Sequence, residues 1–216
     1  MSVARINSTS NRMSVLILCT ANVCRSPMVA FMAARPARLV VDSAGTHVTP
    51  GMSICEVSAQ MLASGDGGLD YAQHFRSRSV QLLDLSHYSL VLGATRAIRS
   101  ETVQQNPAVR NKAFTIQEAL ILLREGLTEA EEVVFRQEGP APVMIARRGT
   151  TATPGELQGR MIKSREHPLD LVDGHIERKK RRHQATLQRA AAMGTELGSA
   201  LLQWQDSVNG ALAQNP

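Results

Sequence analysis

The chain has 216 residues, of which 43% are hydrophobic and 20% are charged. This length and composition suit one globular domain with a well-buried core. Aromatic residues make up only 3% of the chain, which argues against a nucleic-acid surface built from stacked aromatic side chains. The formal net charge is +5 and most of the basic residues are arginines, a balance that suits recognition of phosphate groups or acidic surfaces.

The cysteine count and the N-terminal sequence bear on the compartment of the protein. Three cysteines, an odd number, argue against a disulfide framework and favour a reducing environment. Residues 1–12 are polar and lack the apolar core of a signal peptide, and no later segment is apolar over the length of a bilayer. The sequence therefore predicts a cytoplasmic protein that does not associate with membranes.

Short apolar runs alternate with helical patterns along the chain. Residues 15–18 predict a strand buried on both faces, and the tight segment 19–26 follows it. A helix then begins, with Ser26 at the N-cap position and Pro27 in the first turn. Further strands are predicted at 39–41, 89–93 and 113–116, and further helices at 54–64, 117–125 and 177–203. This alternation indicates βαβ units and an α/β protein with a parallel sheet.

Residues 126–167 differ in composition from the rest of the chain. They contain the sequence Gly139-Pro140-Ala141-Pro142 and a run rich in threonine, proline and glycine at 149–155. Such a composition predicts a mobile, solvent-exposed insertion that contains one short helix near residues 128–135.

The segment between the first strand and the first helix carries the chemistry. It reads Cys19-Thr20-Ala21-Asn22-Val23-Cys24-Arg25-Ser26. Backbone N–H groups of a loop placed between a strand and a helix converge on one anion site, and the same positive potential favours the thiolate form of Cys19. Arg25 offers a planar fork to two phosphate oxygens, and the Ser26 hydroxyl can donate to the thiolate. The sequence thus predicts a nucleophilic cysteine inside a phosphate-binding loop.

This loop resembles the signature loop of the low-molecular-weight protein tyrosine phosphatases. Segments 42–46 and 75–78 also agree with that family. Segments 90–96 and 114–118 resemble its actinobacterial branch. The resemblance implies the family's three-layer fold, in which helices flank a twisted, four-stranded parallel sheet. It also implies a flexible N-terminal extension at residues 1–12, followed by one phosphatase domain at 13–216 that carries the insertion at about 126–167.

The resemblance assigns roles to the residues of the loop. Cys19 would attack the phosphate, and Arg25 would bind it and stabilise the transition state. The other substrate-binding positions would be Thr20, Ala21, Asn22, Val23, Cys24 and Ser26. Asn22 would hold an unusual backbone conformation, because asparagine tolerates positive φ, and Ser43 would belong to the hydrogen-bond network beneath it. Cys24 is either a redox partner that protects Cys19 in a reversible disulfide or a small side chain that fills the underside of the loop.

The general acid is expected in a segment near the C-terminus, where the family has an aspartate followed by proline and an aromatic residue. Asp170 and Asp173 are the two candidates in this chain, and Asp173 is the better match. Gly174 replaces the proline, which predicts a more flexible segment. His175 replaces the aromatic residue, which removes one wall for a phenyl ring.

The function implied is that of a protein tyrosine phosphatase, a phosphoric monoester hydrolase that forms a cysteinyl-phosphate intermediate. Its partner would be a phosphotyrosine-containing protein, for example a bacterial tyrosine kinase. No metal-ligand spacing stands out in the sequence, and the mechanism requires neither a metal nor another cofactor. Two alternatives stay open: a thiol-linked arsenate reductase that uses the same loop, and a catalytically weakened module that binds phosphate or another anion.

Overall fold

A parallel sheet of four strands forms the centre of the protein in a computed structural model that describes residues 13–35, 38–150, 167–174 and 180–212. The strand order is β2-β1-β3-β4, and every neighbouring pair is parallel. The strands are β1 (Ser14–Cys19), β2 (Val40–Gly45), β3 (Leu90–Gly93) and β4 (Ala113–Thr115). Cys19, the last residue of β1, lies beside Gly45 at the carboxyl end of the sheet. Ligands of open α/β sheets bind at this end.

Eight α-helices connect and cover the strands within the described residues. They are α1 (Arg25–Ala34), α2 (Glu56–Ala63), α3 (Gly68–His74), α4 (Arg96–Gln105), α5 (Ile116–Leu123), α6 (Glu129–Glu138), α7 (Pro140–Arg147) and α8 (Lys180–Leu212). Short 3-10 helices lie at Val80–Leu82, Leu85–His87 and Pro107–Lys112. No helix in this part of the chain is both long enough and apolar enough to cross a membrane.

The two faces of β1 pack into two separate hydrophobic clusters. Val15 and Ile17 join the cluster that includes residues of α1, α5 and α8. Leu16 and Leu18 join the opposite cluster, which includes Ile98 of α4. Both faces of the sheet are therefore covered by helices, which explains why β1 is a continuous apolar run rather than an alternating one. The predicted α/β fold with a four-stranded parallel sheet flanked by helices is confirmed.

Helices α1 and α8 lie against each other without room for side chains at two glycines. A Cβ atom on Gly194 would lie 2.6 Å from the carbonyl oxygen of Val29, and one on Gly198 would lie 2.6 Å from that of Ala33. These contacts are shorter than any that real Cβ atoms make. The two glycines thus allow the helix that follows the 19–26 loop to approach α8 closely.

Residues 126–150 are more regular than the sequence predicts. Helix α6 matches the short helix that was expected, but α7 lies where an exposed, irregular chain was predicted. Val143 and Met144 of α7 are buried in the core. Pro140 occupies the first turn of α7, where its missing N–H costs no hydrogen bond, so a Gly-Pro pair that is typical of a loop begins a helix here. Residues 1–12 and 151–166 lie outside the described part of the chain, and the proposed division into extension, domain and insertion stays a prediction.

Candidate active site

The backbone of the 19–26 loop is fixed by hydrogen bonds to its carbonyl oxygens. The carbonyl of Cys19 accepts from the N–H of Thr46 at 3.1 Å, and that of Thr20 accepts from the N–H of His47 at 2.9 Å. The carbonyl of Val23 accepts from the N–H of Cys55 at 2.8 Å, and that of Cys24 accepts from the N–H of Met28 at 3.2 Å. The C=O and the N–H of a trans peptide point in opposite directions, and the described residues contain no cis peptide. The N–H groups of Thr20, Ala21, Cys24 and Arg25 therefore point towards the inside of the loop. Convergent N–H groups of this kind bind oxyanions.

Cys19 lies at the start of this loop with its sulfur beside a hydroxyl group. The residue is only 2% exposed, and Cys19 Sγ is 3.0 Å from Ser26 Oγ. Ser26 Oγ accepts a hydrogen bond from Asn22 Nδ2 at 3.0 Å, so its own hydrogen can be donated to the Cys19 sulfur or to the carbonyl of Ala44, which is 3.3 Å away. The loop thus places one hydroxyl donor next to a buried thiol.

Asn22 has the strained conformation that the sequence predicts. Its φ angle is +55°, and it is the one non-glycine residue in the described part of the chain with positive φ. The side chain is fully buried. Besides its bond to Ser26, it donates to Ser43 Oγ at 2.9 Å and accepts from the backbone N–H of Arg78 at 2.9 Å. The expected network of Asn22 and Ser43 is therefore present, and Arg78 adds a third anchor.

Arg25 connects the loop to the segment at 167–174. The residue is 4% exposed. Its Nη1 donates to the carbonyl of Leu171 at 3.1 Å, and its Nη2 donates to Asp173 Oδ2 at 2.7 Å and to Thr20 Oγ1 at 3.4 Å. Leu171 is itself buried and donates its N–H to the carbonyl of Ala94, directly after β3, at 2.7 Å. The segment is thus held at the carboxyl end of the sheet, beside the loop.

The structure separates the two aspartates that the sequence offers as candidate acids. Asp173 pairs with Arg25 inside the site. Asp170 instead accepts a hydrogen bond from the backbone N–H of Arg96 at 2.8 Å and pairs with the guanidinium of the same residue at 3.4 Å. Arg96 is the first residue of α4, where a carboxylate stabilises the positive end of the helix. Asp170 therefore anchors the segment, and Asp173 is the carboxylate beside the loop.

Comparison with known proteins identifies the family. Residues 14–122 match the family model of the low molecular weight phosphotyrosine protein phosphatases. The chain belongs to this family. No protein among those with curated descriptions matches it, and its place in the actinobacterial branch stays a prediction.

Three solved structures illustrate the similarity of the fold. The YwlE arginine phosphatase from Geobacillus stearothermophilus has a TM-score of 0.58 and 17% identity, and the match covers 94% of this chain and 98% of that one. The low molecular weight protein tyrosine phosphatase from T. tengcongensis has a TM-score of 0.55 and 19% identity, with coverage of 86% and 97%. The tyrosine phosphatase Wzb from Escherichia coli K30 has a TM-score of 0.55 and 13% identity, with coverage of 87% and 97%. At such identities the similarity shows the fold alone.

Gly174 of this phosphatase has a packing role that the sequence alone does not indicate. The residue is buried, and a Cβ atom there would lie 2.5 Å from the Cα of His183 in α8. Any residue with a side chain, proline included, would collide with the helix backbone. The glycine was expected to make the segment more flexible, whereas here it allows the segment to pack against α8. His175 lies outside the described residues.

Cys24 of the loop lies close to Cys55, the N-cap residue of α2, and to His183 of α8. The sulfurs of Cys24 and Cys55 and a ring nitrogen of His183 all lie within 4.8 Å of one another. The hydrogen bond with Cys55, together with burial, raises the pKa of Cys24, and the same bond lowers the pKa of Cys55 with help from Ser58 and His183. All three cysteines of the chain lie in the described residues as thiols. No local sequence pattern predicts the contact between Cys55 and Cys24.

The site also contains groups that the sequence could not indicate. Leu171 and Arg78 contribute a backbone carbonyl and a backbone N–H, which every residue type can supply. The family-like 75–78 segment was the only sign that Arg78 lies near the loop, and nothing marked Leu171.

Proposed function

We propose that this phosphatase hydrolyses phosphotyrosine in proteins through a cysteinyl-phosphate intermediate. One observation carries the proposal. Cys19, Arg25 and Asp173 meet at the carboxyl end of the sheet, although 148 residues separate the arginine from the aspartate. A nucleophile, an oxyanion-binding guanidinium and a carboxyl group are the three parts that this reaction needs.

In the first step the Cys19 thiolate attacks phosphorus. The phosphate oxygens are bound by the inward N–H groups of the loop and by Arg25, which stabilise the charge of the transition state. The bond between phosphorus and the phenolic oxygen breaks, and Asp173 gives its proton to that oxygen. The products of this step are tyrosine and a phosphate covalently bound to Cys19.

In the second step water attacks the phosphorus of the intermediate. Asp173, now a carboxylate, accepts the proton of the water, and the phosphorus–sulfur bond breaks. The Cys19 sulfur leaves as a thiolate, and the hydroxyl of Ser26, 3.0 Å away, donates a hydrogen bond to it. Inorganic phosphate is released and the protein returns to its starting state.

The choice of phosphotyrosine rests on the family description and on the family-like loop. The odd number of cysteines supports action in a reducing compartment, the cytoplasm, where a phosphorylated protein such as a bacterial tyrosine kinase would be the substrate. A structure with the same fold is described as an arginine phosphatase, so phosphoarginine is the competing substrate class.

The test compares turnover of phosphotyrosine, phosphoarginine and phosphoserine peptides by the wild-type protein and three variants. Cys19→Ser should abolish turnover. Asp173→Asn should lower kcat for phosphotyrosine by about 10²–10⁴-fold, the usual contribution of a general acid, and by less for an aryl phosphate whose leaving group needs no proton. Asp170→Asn is the matched control, because it removes a carboxylate of the same segment that contacts Arg96 instead of Arg25.

Other results would redirect the proposal. Preference for phosphoarginine peptides would change the proposed substrate from phosphotyrosine to phosphoarginine, with Cys19 still the nucleophile. Binding of phosphotyrosine without turnover would indicate the weakened binding module. Reduction of arsenate with a small-molecule thiol, without phosphatase activity, would indicate the reductase.

A further inference from the structure

Three side chains with metal-ligating atoms lie close together, and one of them, Cys24, belongs to the 19–26 loop. Cys24 and Cys55 are the N-cap residues of α1 and α2, and His183 lies in the first turns of α8. Their two sulfurs and a ring nitrogen all lie within 4.8 Å of one another, and Cys55 Sγ is 3.4 Å from His183 Nε2. None of these three side chains has a step in the proposed reaction.

The spacing of these atoms fits tetrahedral coordination of a small thiophilic cation. With Zn–S bonds of about 2.3 Å and Zn–N bonds of about 2.0 Å, tetrahedral geometry places two sulfurs about 3.8 Å apart and a sulfur and a nitrogen about 3.5 Å apart. The distance from Cys55 Sγ to His183 Nε2 is 3.4 Å. The other two distances are no longer than 4.8 Å, so side-chain rotation has to shorten them by at most about 1.3 Å to reach tetrahedral spacing. We propose that Cys24, Cys55 and His183 form a Cys2His site for zinc, with the fourth position occupied by water.

Burial and charge suit this site. Cys24 and His183 are each 5% exposed, whereas Cys55 is partly exposed and gives access from solvent. Two thiolates and a neutral imidazole balance the two positive charges of zinc, and binding releases the proton of any sulfur that is still protonated. Two thiolates and one imidazole are the ligand types that select zinc over magnesium or calcium.

The position of each ligand is fixed by the backbone before any metal arrives. The N–H of Cys55 donates to the carbonyl of Val23 at 2.8 Å, so the start of α2 is bonded to the loop that carries Cys24. Gly174 packs against the Cα of His183, so the start of α8 is in contact with the segment that carries Asp173. Zinc would therefore connect the phosphate-binding loop with the base of the acid-bearing segment, and it would stabilise the folded protein by mass action.

The experiment measures zinc binding by the full-length protein, reduced with a thiol-free reductant and stripped of metal by a chelator. Zinc is titrated in competition with a chromophoric chelator, and cobalt is added to a second sample to record thiolate-to-cobalt charge-transfer absorption. We expect one zinc per chain, thiolate absorption with cobalt, and a higher thermal unfolding temperature with zinc. Cys55→Ser and His183→Gln should each weaken binding by at least about 100-fold, since even outer groups of metal sites contribute 10–100-fold.

The matched control is Cys19→Ser, which removes the third cysteine and leaves the proposed ligands in place. Unchanged zinc affinity in Cys19→Ser together with loss in Cys55→Ser supports the site. Loss of binding in Cys19→Ser but not in Cys55→Ser would overturn it, because zinc would then lie at the nucleophile. Absence of stoichiometric binding by the folded wild-type protein would also overturn it. Circular dichroism of each variant verifies that it folds. Cys55→Ser is used rather than Cys24→Ser because Cys55 is partly exposed, whereas Cys24 belongs to the phosphate-binding loop and its replacement disturbs the loop.

Discussion

Replacement of Asn22 by alanine tests how the phosphate-binding loop is held in shape. The Asn22 side chain makes three hydrogen bonds, to Ser26, Ser43 and the N–H of Arg78. Alanine leaves the N–H of Arg78 unpaired, and a buried polar group without a partner costs about 1–3 kcal/mol, whereas the Ser43 hydroxyl keeps its hydrogen bond with Tyr71. A left-handed backbone conformation costs alanine roughly another 1 kcal/mol. The expected loss in the free energy of unfolding is about 2–4 kcal/mol, a substantial part of the roughly 5–15 kcal/mol typical of a domain.

The assay combines urea denaturation with steady-state kinetics on an aryl phosphate. Ser43→Ala is the graded comparison, because it removes one of the three bonds and should cost only about 1 kcal/mol. Asn22→Gly removes the same bonds as Asn22→Ala but accepts the positive φ without strain. In Asn22→Ala the N–H groups of the loop lose their common direction, so kcat/KM should fall by about 100-fold or more, as removal of one oxyanion donor does.

One result would refute this reasoning about Asn22. If Asn22→Ala unfolds within about 0.5 kcal/mol of the wild-type protein, as a neutral surface substitution does, and keeps its turnover, the buried network does not hold the loop. Normal stability with lost turnover would instead place Asn22 in the chemistry rather than in the positioning of the loop.

Three further predictions concern packing and pH. Gly198→Ala should destabilise the protein by about 1–3 kcal/mol, because its Cβ would overpack against α1. Gly210 lies in the same helix with nothing within 4 Å of a Cβ, so Gly210→Ala should stabilise the protein by about 0.5–1 kcal/mol. Thermal unfolding measures both changes. Gly45→Ala places a Cβ 2.5 Å from the backbone of the phosphate-binding loop, so turnover and stability should fall together. The hydrogen bond from Arg147 lowers the pKa of Glu131 from 4.5 to about 2, so its stabilising effect is complete above pH 4.5 and is lost as pH falls towards 2. After a discount for solvent screening this effect is about 1–2 kcal/mol, and urea denaturation at several pH values should find it absent in Glu131→Gln.

The central sheet and the loop could be predicted because both depend on short local sequences. A strand covered on both faces must be apolar at every position, and residues 15–18 are. The loop could be located because Pro27 marks the first turn of the helix that follows it, although the helix begins at Arg25 and its N-cap residue is Cys24 rather than the predicted Ser26. Asn22 could be given its backbone role because few residue types accept positive φ. In each case the physical requirement falls on one residue type at one position.

The remaining features depend on contacts between distant parts of the chain. The contact between Cys55 and His183 spans 128 residues and is set by where α8 begins relative to α2. Gly174 indicates flexibility when it is considered alone, and its packing role exists only because α8 passes next to it. The choice between Asp170 and Asp173 likewise depends on which of them faces the start of α4, which no pattern within the segment determines.

In the proposed mechanism, one guanidinium, that of Arg25, serves both the substrate and the acid. Its Nη1 is bonded to the carbonyl of Leu171, whereas its Nη2 is bonded to Asp173. In the proposed mechanism, an oxyanion bound in the loop competes with the Asp173 carboxylate for Nη2. The Leu171 carbonyl holds the guanidinium independently of Asp173. Asp173→Asn should therefore bind inorganic phosphate at least as well as the wild-type protein while its kcat falls. If the substitution instead displaced the whole 167–174 segment, phosphate binding and kcat would fall together.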